Sequence, residues 1–420
     1  MIGYARRILL AIAIATSLVT PLLAAPAFHR GVSIHNMMNW ADLVPGDPAH
    51  YAWPPYAKDW HRIPDGLLDS LGNAGFDFIR LTVDPGPFLQ FTGAHRDELD
   101  AILVGEVRQF IAHGFAVIVD FHPNHQVPAY TGESILRLPG GSLFNDYVAL
   151  MRRTAGLLDP MKADVALEFM NEPPIGYDPL TRRIWQQTVE LIYAEVRAAS
   201  PGLALVISGA RSGEYDGLVE LDPRPFDSNV LFTFHYYRPH TFTHQGFMSP
   251  ALPVRGYITS LPYPSSNVDA EEVMATVEDN VRADSSLGPG EQQAMLAEAA
   301  KTVDAYVAGD YDRSRIATDF DAVTAWAGKY GIAPSRILMG EFGVMRTYGR
   351  YHGADPVSRG NWLRDIREEA EAHGFPWAVW QAWGYGGMAI VANDDTTDID
   401  PVTLEALGLP PGATQPPVGQ

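Results

Sequence analysis

The sequence of 420 residues predicts a single α/β domain, a (β/α)8 TIM barrel with a long insertion between its sixth and seventh strands. Three observations predict it. From residue 30 onward, eight strand-like runs alternate with amphipathic helical stretches, the pattern of parallel strands covered by helices. Several helical stretches end on a glycine just before the next strand, as at Gly75, Gly114 and Gly374, where a left-handed residue stops a helix. Strand interiors are nearly all apolar, and polar side chains gather at their C-terminal ends, the face where a barrel carries its reactive groups. A doubly wound open sheet is the rival fold. No Gly-rich dinucleotide or phosphate loop follows any strand, which counts against it.

The strands are read at 31–35, 78–83, 116–122, 165–172, 203–209, 230–236, 336–341 and 376–380. Each is short, apolar and rich in β-branched or aromatic residues. The fourth must end at Pro173-Pro174, because proline has no backbone N–H for a central ladder. Helical periodicity is read at 64–74, 98–113, 143–158, 180–199 and 356–373. The stretch from 238 to 335 is far longer than one crossover helix requires. It opens with aromatics, prolines and histidines and continues with acidic helical stretches, so it is read as an inserted lid or cleft wall. The other long loop, 36–61, carries Trp40, Tyr51, Trp53, Tyr56 and Trp60. Residues 409–420 are Pro/Gly-rich and read as a disordered tail. The catalytic domain is therefore expected over 28–408.

The N-terminus has the three-part form of an export signal. Arg6 and Arg7 supply positive charge, an apolar run follows to Leu23, and Ala25-Pro26-Ala27 offers a small-x-small cleavage site. The run is short for a spanning helix, which favours cleavage over a retained anchor. A signal peptide over 1–27 would make the protein secreted or periplasmic, with no membrane association afterwards. Cleavage would remove only two charges, both positive, from a chain of formal net charge -20. So acidic a protein is ill suited to nucleic acid or anionic membranes. There is no cysteine, which excludes disulfides, thiolate nucleophiles and Cys-based metal sites. At 46% hydrophobic residues the chain has ample material for one large core, and a monomer is expected.

Two strands end on glutamate: the fourth at Glu172, within Asn171-Glu172-Pro173, and the seventh at Glu341, within Gly340-Glu341-Phe342-Gly343. A pair of carboxylates facing one bond is the equipment of glycoside hydrolysis. The other polar strand ends are Arg80, His122, His235, Tyr237 and Trp380. His122 and His125 could suggest a metal, but Pro123 breaks the helix such a pair would need and no third ligand is evident, so neither metal nor cofactor is expected. Glu168 and Asp120 lie deeper in their strands and read as buried structural partners. Glu133 and Glu214 read as solvated rim residues.

Six stretches together resemble glycoside hydrolase family 5, the cellulase family of retaining glycosidases. They are Phe78-Ile-Arg80-Leu, Val119-Asp-Phe-His122, Leu167-Glu-Phe-Met-Asn171-Glu172-Pro173, Phe234-His235-Tyr-Tyr237, Met339-Gly-Glu341-Phe-Gly343 and Trp377-Ala-Val-Trp380, and they run in family order. The resemblance implies Glu172 as acid/base and Glu341 as nucleophile. By residue type, Asn171 suits a sugar 2-hydroxyl, and Arg80 and Tyr237 suit the Glu341 carboxylate. His122 and His235 suit positions near the acid/base, and Trp380 suits the floor beneath a sugar ring. Trp40, Trp53 and Trp383 are candidates for sugar stacking. The expected substrate is an oligo- or polysaccharide, most simply a β-1,4-glucan cut internally. Mannan, β-1,3-glucan and exo-acting β-glucosidase chemistry stay open, as does a barrel that only binds carbohydrate.

Overall fold

A computed structural model describes residues 26–384 and 387–410. Its strands are β1 (Arg30–Met38), β2 (Leu43–Val44), β3 (Asp47–Tyr51), β4 (Phe78–Val83), β5 (Ala116–Phe121), β6 (Val165–Glu168), β7 (Ala204–Ser208), β8 (Val230–His235), β9 (Ile337–Glu341) and β10 (Trp377–Val379). Eight of them close a parallel barrel in the order β1-β4-β5-β6-β7-β8-β9-β10. The α/β TIM-barrel reading is correct, and all eight expected strands are present. The signal-peptide reading falls almost wholly outside the described residues. Among the described residues no helix is long and apolar enough to cross a membrane. Most of the expected tail also lies outside them, but its first residue, Leu409, is buried in the core.

Alternation along the strands divides the barrel interior into two levels. Side chains of a strand point alternately to opposite faces. At the lower level Phe78, Ile118, Ala166, Ala204, Leu231 and Ala378 form one apolar cluster, sealed by Phe28 against Phe78. Two residues further along β4, β5, β6 and β8 come Arg80, Asp120, Glu168 and Thr233, all fully buried. One more step on β5 and β8 reaches His122 and His235 at the mouth. The residues between face outward and pack beneath the helices, among them Ile79, Leu81, Val117, Val119 and Leu167. Packing is close at Gly31, where a Cβ would lie 2.2 Å from the Phe78 ring.

Several elements differ from expectation. β6 stops at Glu168 rather than reaching Glu172; Phe169 and Asn171 still donate to Val206 and Phe121, and Glu172 itself adopts φ 41, outside the extended region. The loop 36–61 is not irregular throughout: β2 and β3 form a hairpin, and buried Tyr51 exchanges two hydrogen bonds with the Gln90 side chain. The stretch 238–335 contains helices Ala270–Ala283 and Pro289–Ala308, which share a core through Val273, Val277, Ala299 and Val303. It also contains the helix Arg313–Tyr330, unassigned in the sequence reading. Its Phe320 and Trp326 meet Phe234 and Phe232 of β8 edge-on, as a barrel helix does. The inserted part is correspondingly shorter.

Candidate active site

The polar level of the barrel is organised around Arg80, which is fully buried. Its guanidinium grips Glu168 with two hydrogen bonds, Nε to Oε2 at 2.8 Å and Nη2 to Oε1 at 2.9 Å. It also lies 3.0 Å from Asp120, donates to Asn171 Oδ1 at 2.9 Å and donates to Glu341 Oε1 at 2.6 Å. A planar fork of five N–H groups is needed for this many partners at once. Burial opposes its charge, but Asp120, Glu168 and Glu341 prevail and hold it well above the usual arginine range.

Glu341 is 4% exposed. Its second oxygen, Oε2, accepts from the Tyr237 hydroxyl at 2.9 Å. Burial, and then the Glu341 charge, push the Tyr237 phenol far above its ordinary value, so it remains a donor. Both oxygens of Glu341 thus face donors placed for an ionised carboxylate.

Glu172 stands across the mouth in a different setting. Among the described residues its side chain makes one hydrogen bond, to His235, Nδ1 to Oε1 at 2.9 Å, and 38% of the side chain is open to the cleft. Removal from bulk water pushes the Glu172 carboxyl up to about 7. Arg80 pulls the other way, while Glu214 and Glu168 reinforce the rise. Burial lowers His235 below its ordinary value, favouring the neutral ring. A neutral His235 that donates Nδ1–H to Oε1 leaves Oε2 to carry a proton into the cleft. The Glu172 neighbour Gly213 adopts φ 72, the left-handed region that favours glycine.

A second chain of bonds orients the amide. Burial drives His122 down to about 3, so its ring is neutral. Its Nδ1 pairs with Asp120 Oδ2 at 2.8 Å, and Nε2 lies 3.1 Å from Asn171 Nδ2. With Asn171 Oδ1 taken by Arg80, one N–H of the amide faces His122 and the other stays available to a substrate hydroxyl. Burial also lifts Asp120 to about 7, against the pull of Arg80.

The sequence-derived set Arg80, His122, Asn171, Glu172, His235, Tyr237, Glu341 and Trp380 therefore meets at one mouth. Side-chain oxygens of Glu172 and Glu341 come within 4.8 Å of each other. The cleft has a volume of about 450 Å3. Trp40 lines it and donates Nε1–H to His35 Nε2 at 2.7 Å. Trp380 lines it too and stacks on His122 at 5.6 Å. Two stacking expectations need correction. Trp53 lies flat against His95 at 4.0 Å and edge-on to Phe91, so its ring is used in holding the loop. Trp383 is 9% exposed and packs in the core, because the chain after Trp380 turns inward. Glu214 is half-buried and ion-paired with Arg238, not solvated. Glu168 and Asp120 are buried partners of Arg80, as expected.

Sequence reading does not single out His35. It closes the cleft floor between Trp40 and Trp380, 4.6 Å from the latter ring. Its inward position two residues beyond Ser33 is the signal that would have found it. Two groups, Asp120-His122-Glu341 and Glu172-His235-Glu341, bring potential metal-ligating atoms within 4.8 Å of one another. In both, Glu341 already accepts from Arg80 at Oε1 and from Tyr237 at Oε2, so hydrogen-bond donors occupy both of its oxygens. These donors suit sugar hydroxyls better than a metal.

A (β/α)8 barrel with this mouth is a glycoside hydrolase. The comparisons agree and narrow the class. A sequence model described as Cellulase (glycosyl hydrolase family 5) matches residues 45–386, and the chain belongs to that family. It is 23% identical to endoglucanase H of Acetivibrio thermocellus over 364 residues, 85% of this chain and 31% of that protein. The chain thus spans about a third of that relative's length. In fold it is similar to Thermotoga maritima Cel5A solved with cellobiose, with TM-score 0.60 at 20% identity, covering 91% of this chain and 97% of that one. It is likewise similar to a family 5 xyloglucanase from Paenibacillus pabuli, with TM-score 0.63 at 15% identity, covering 91% and 98%.

Proposed function

We propose that the protein is a retaining β-glycosidase that cuts β-1,4-glucan internally by double displacement. The observation that carries this is the pair of glutamates: oxygens within 4.8 Å, in unlike surroundings. Retaining enzymes hold their two carboxyl groups about 5–5.5 Å apart, whereas inverting enzymes leave about 6.5–9.5 Å for a water. Glu172 gives its proton to the glycosidic oxygen while Glu341 attacks the anomeric carbon. The C–O bond breaks, the leaving sugar departs as an alcohol, and a glycosyl ester forms on Glu341. Glu172, now ionised, takes a proton from water as that water attacks the same carbon and releases Glu341. Asn171 offers its amide N–H to the 2-hydroxyl, and Trp380 offers its face to the ring above it.

A neutral sugar is favoured over a uronic acid. Among the described residues lining the cleft there is no lysine or arginine, while Glu133, Glu172 and Glu341 are all present. Endoglucanase H and cellobiose-bound Cel5A support a β-glucan as the first substrate to try. The N-terminal pattern supports export, with maturation at Phe28, which a mass measurement on the secreted protein would check. The mechanism is tested by proton NMR of fresh product. The β-anomer should appear first and then mutarotate; initial α-anomer would contradict the proposal.

A further inference from the structure

Beneath the two glutamates, β8 and β9 run out of step. Their pairing joins Phe234 to Met339 but His235 to Glu341, so Gly340 is the extra residue of a bulge. The bulge meets the barrel's polar level. A Cβ on Gly340 would lie 2.5 Å from Thr233 Oγ1 and 3.2 Å from His235 Nε2. The two atoms thus border one spot, which glycine leaves open, and they are close enough for a single water to bridge.

Neither atom has a hydrogen-bond partner among the described residues. Thr233 is fully buried and His235 nearly so. Buried polar atoms left unmet are costly, and here each is the other's nearest remedy. The Thr233 hydroxyl has a proton to give, and the His235 nitrogen has a lone pair to receive it if the ring proton sits on Nδ1.

The tautomer of His235 decides what Glu172 can do. Nδ1 lies 2.9 Å from Glu172 Oε1 and 3.6 Å from Glu341 Oε2. With the ring proton on Nδ1, His235 donates to Oε1 and Glu172 keeps its own proton for the cleft. With the ring proton on Nε2, Nδ1 is bare, and Glu172 points its proton at the ring instead of the substrate. Glu172, as the carboxylic acid, fits either form. The choice therefore falls to the Nε2 side, where a donor sends the ring proton to Nδ1.

We infer that Thr233 is a positioning residue for the acid/base: through one bridging water it supplies the donor for His235 Nε2 and holds the ring in its Nδ1–H form. Gly340 keeps the place between them open. Thr233 is not among the residues lining the cleft, so it acts through His235 and not on the sugar. The inference rests on Glu172 being the proton donor.

The test compares two substrates in Thr233→Val, which keeps the branched shape and removes the hydroxyl. On cellotetraose, whose leaving sugar needs a proton, kcat/KM should fall about tenfold, through kcat more than KM. On 2,4-dinitrophenyl β-cellobioside, whose leaving group needs none, kcat/KM should stay within about twofold of wild type. Thr233→Ser keeps the hydroxyl and should recover both values. Nitrogen-15 NMR of histidine-labelled wild type should show the His235 proton on Nδ1, and Thr233→Val should shift it toward Nε2. Equal losses on the two substrates in Thr233→Val, no loss on either, or Thr233→Ser as impaired as Thr233→Val would overturn the inference. If Thr233→Val does not fold, the wild-type spectrum decides, with Nε2–H the contradicting result. The Glu172 reading fails separately, by Glu172→Ala losing equally on both substrates.

Discussion

Glu341 and Glu172 face the same cleft from opposite sides and differ in almost everything else. Glu341 ends a regular strand, is nearly covered, and has a donor on each oxygen, Arg80 and Tyr237. Glu172 follows a strand that has already ended, sits at positive φ, is partly open, and has one neutral histidine for company. The first setting rewards a fixed negative charge. The second penalises charge and so keeps a proton near neutrality. Two identical side chains are given unlike settings by their surroundings alone, and the difference lies in the barrel's polar level beneath them.

The comparison can be broken from the Glu341 side first. Glu341→Ala should lower kcat by at least about 10⁴-fold, since no other group is placed to attack the anomeric carbon. Added azide should restore part of the turnover and yield an α-glycosyl azide, detectable by NMR; a β-azide would reverse the assignment. Glu172→Ala should cost about 10²–10⁴-fold on saccharide leaving groups. On a dinitrophenyl glycoside, which needs no proton to depart, the initial glycosylation step should suffer far less. Equal losses on both would remove the distinction between the two glutamates.

Beneath them, Arg80→Lys removes the fork that serves Glu168, Asn171 and Glu341 together. Unfolding in denaturant should show a loss of about 3 kcal/mol, because buried carboxylates are left short of partners. The pH profile sharpens the contrast without mutation. The Glu172 carboxyl is raised to about 7, and under the proposed mechanism the reacting form is the protonated one. It is therefore available below that pH, and kcat/KM on cellotetraose should fall as pH rises through about 7. A profile flat to pH 9 would contradict the setting described for Glu172. The smallest effect belongs to the wall. Trp40→Ala should raise KM about fivefold with little change in kcat, as expected of a residue that binds sugar away from the reacting carbon.

The barrel was legible in the sequence because each strand is short, apolar and bounded by turn residues, and seven of the eight core residues of the site were legible because they fall at or just beyond strand ends; Arg80, read as a strand end, lies in the middle of β4 and reaches the site from below. What escaped has physical reasons. Ile316, Phe320, Val323 and Ala327 stand at helical spacing, but Asp319 interrupts their face. Its charge is met by the hydroxyls of Tyr215 and Tyr236, partners far away in sequence. His35 depends on loop closure, through the bond it receives from Trp40. Trp53 and Trp40 look alike in the sequence, two aromatics on one loop. Only tertiary packing sends one to His95 and the other to the cleft.

The division of labour between the glutamates is tested most directly by trapping the covalent intermediate. Incubation with a 2-deoxy-2-fluoro β-cellobioside bearing a good leaving group should inactivate the enzyme. Peptide mass spectrometry should then find the fluoroglycosyl ester on Glu341. An ester on Glu172, or slow hydrolysis with no ester on either residue, would contradict the account.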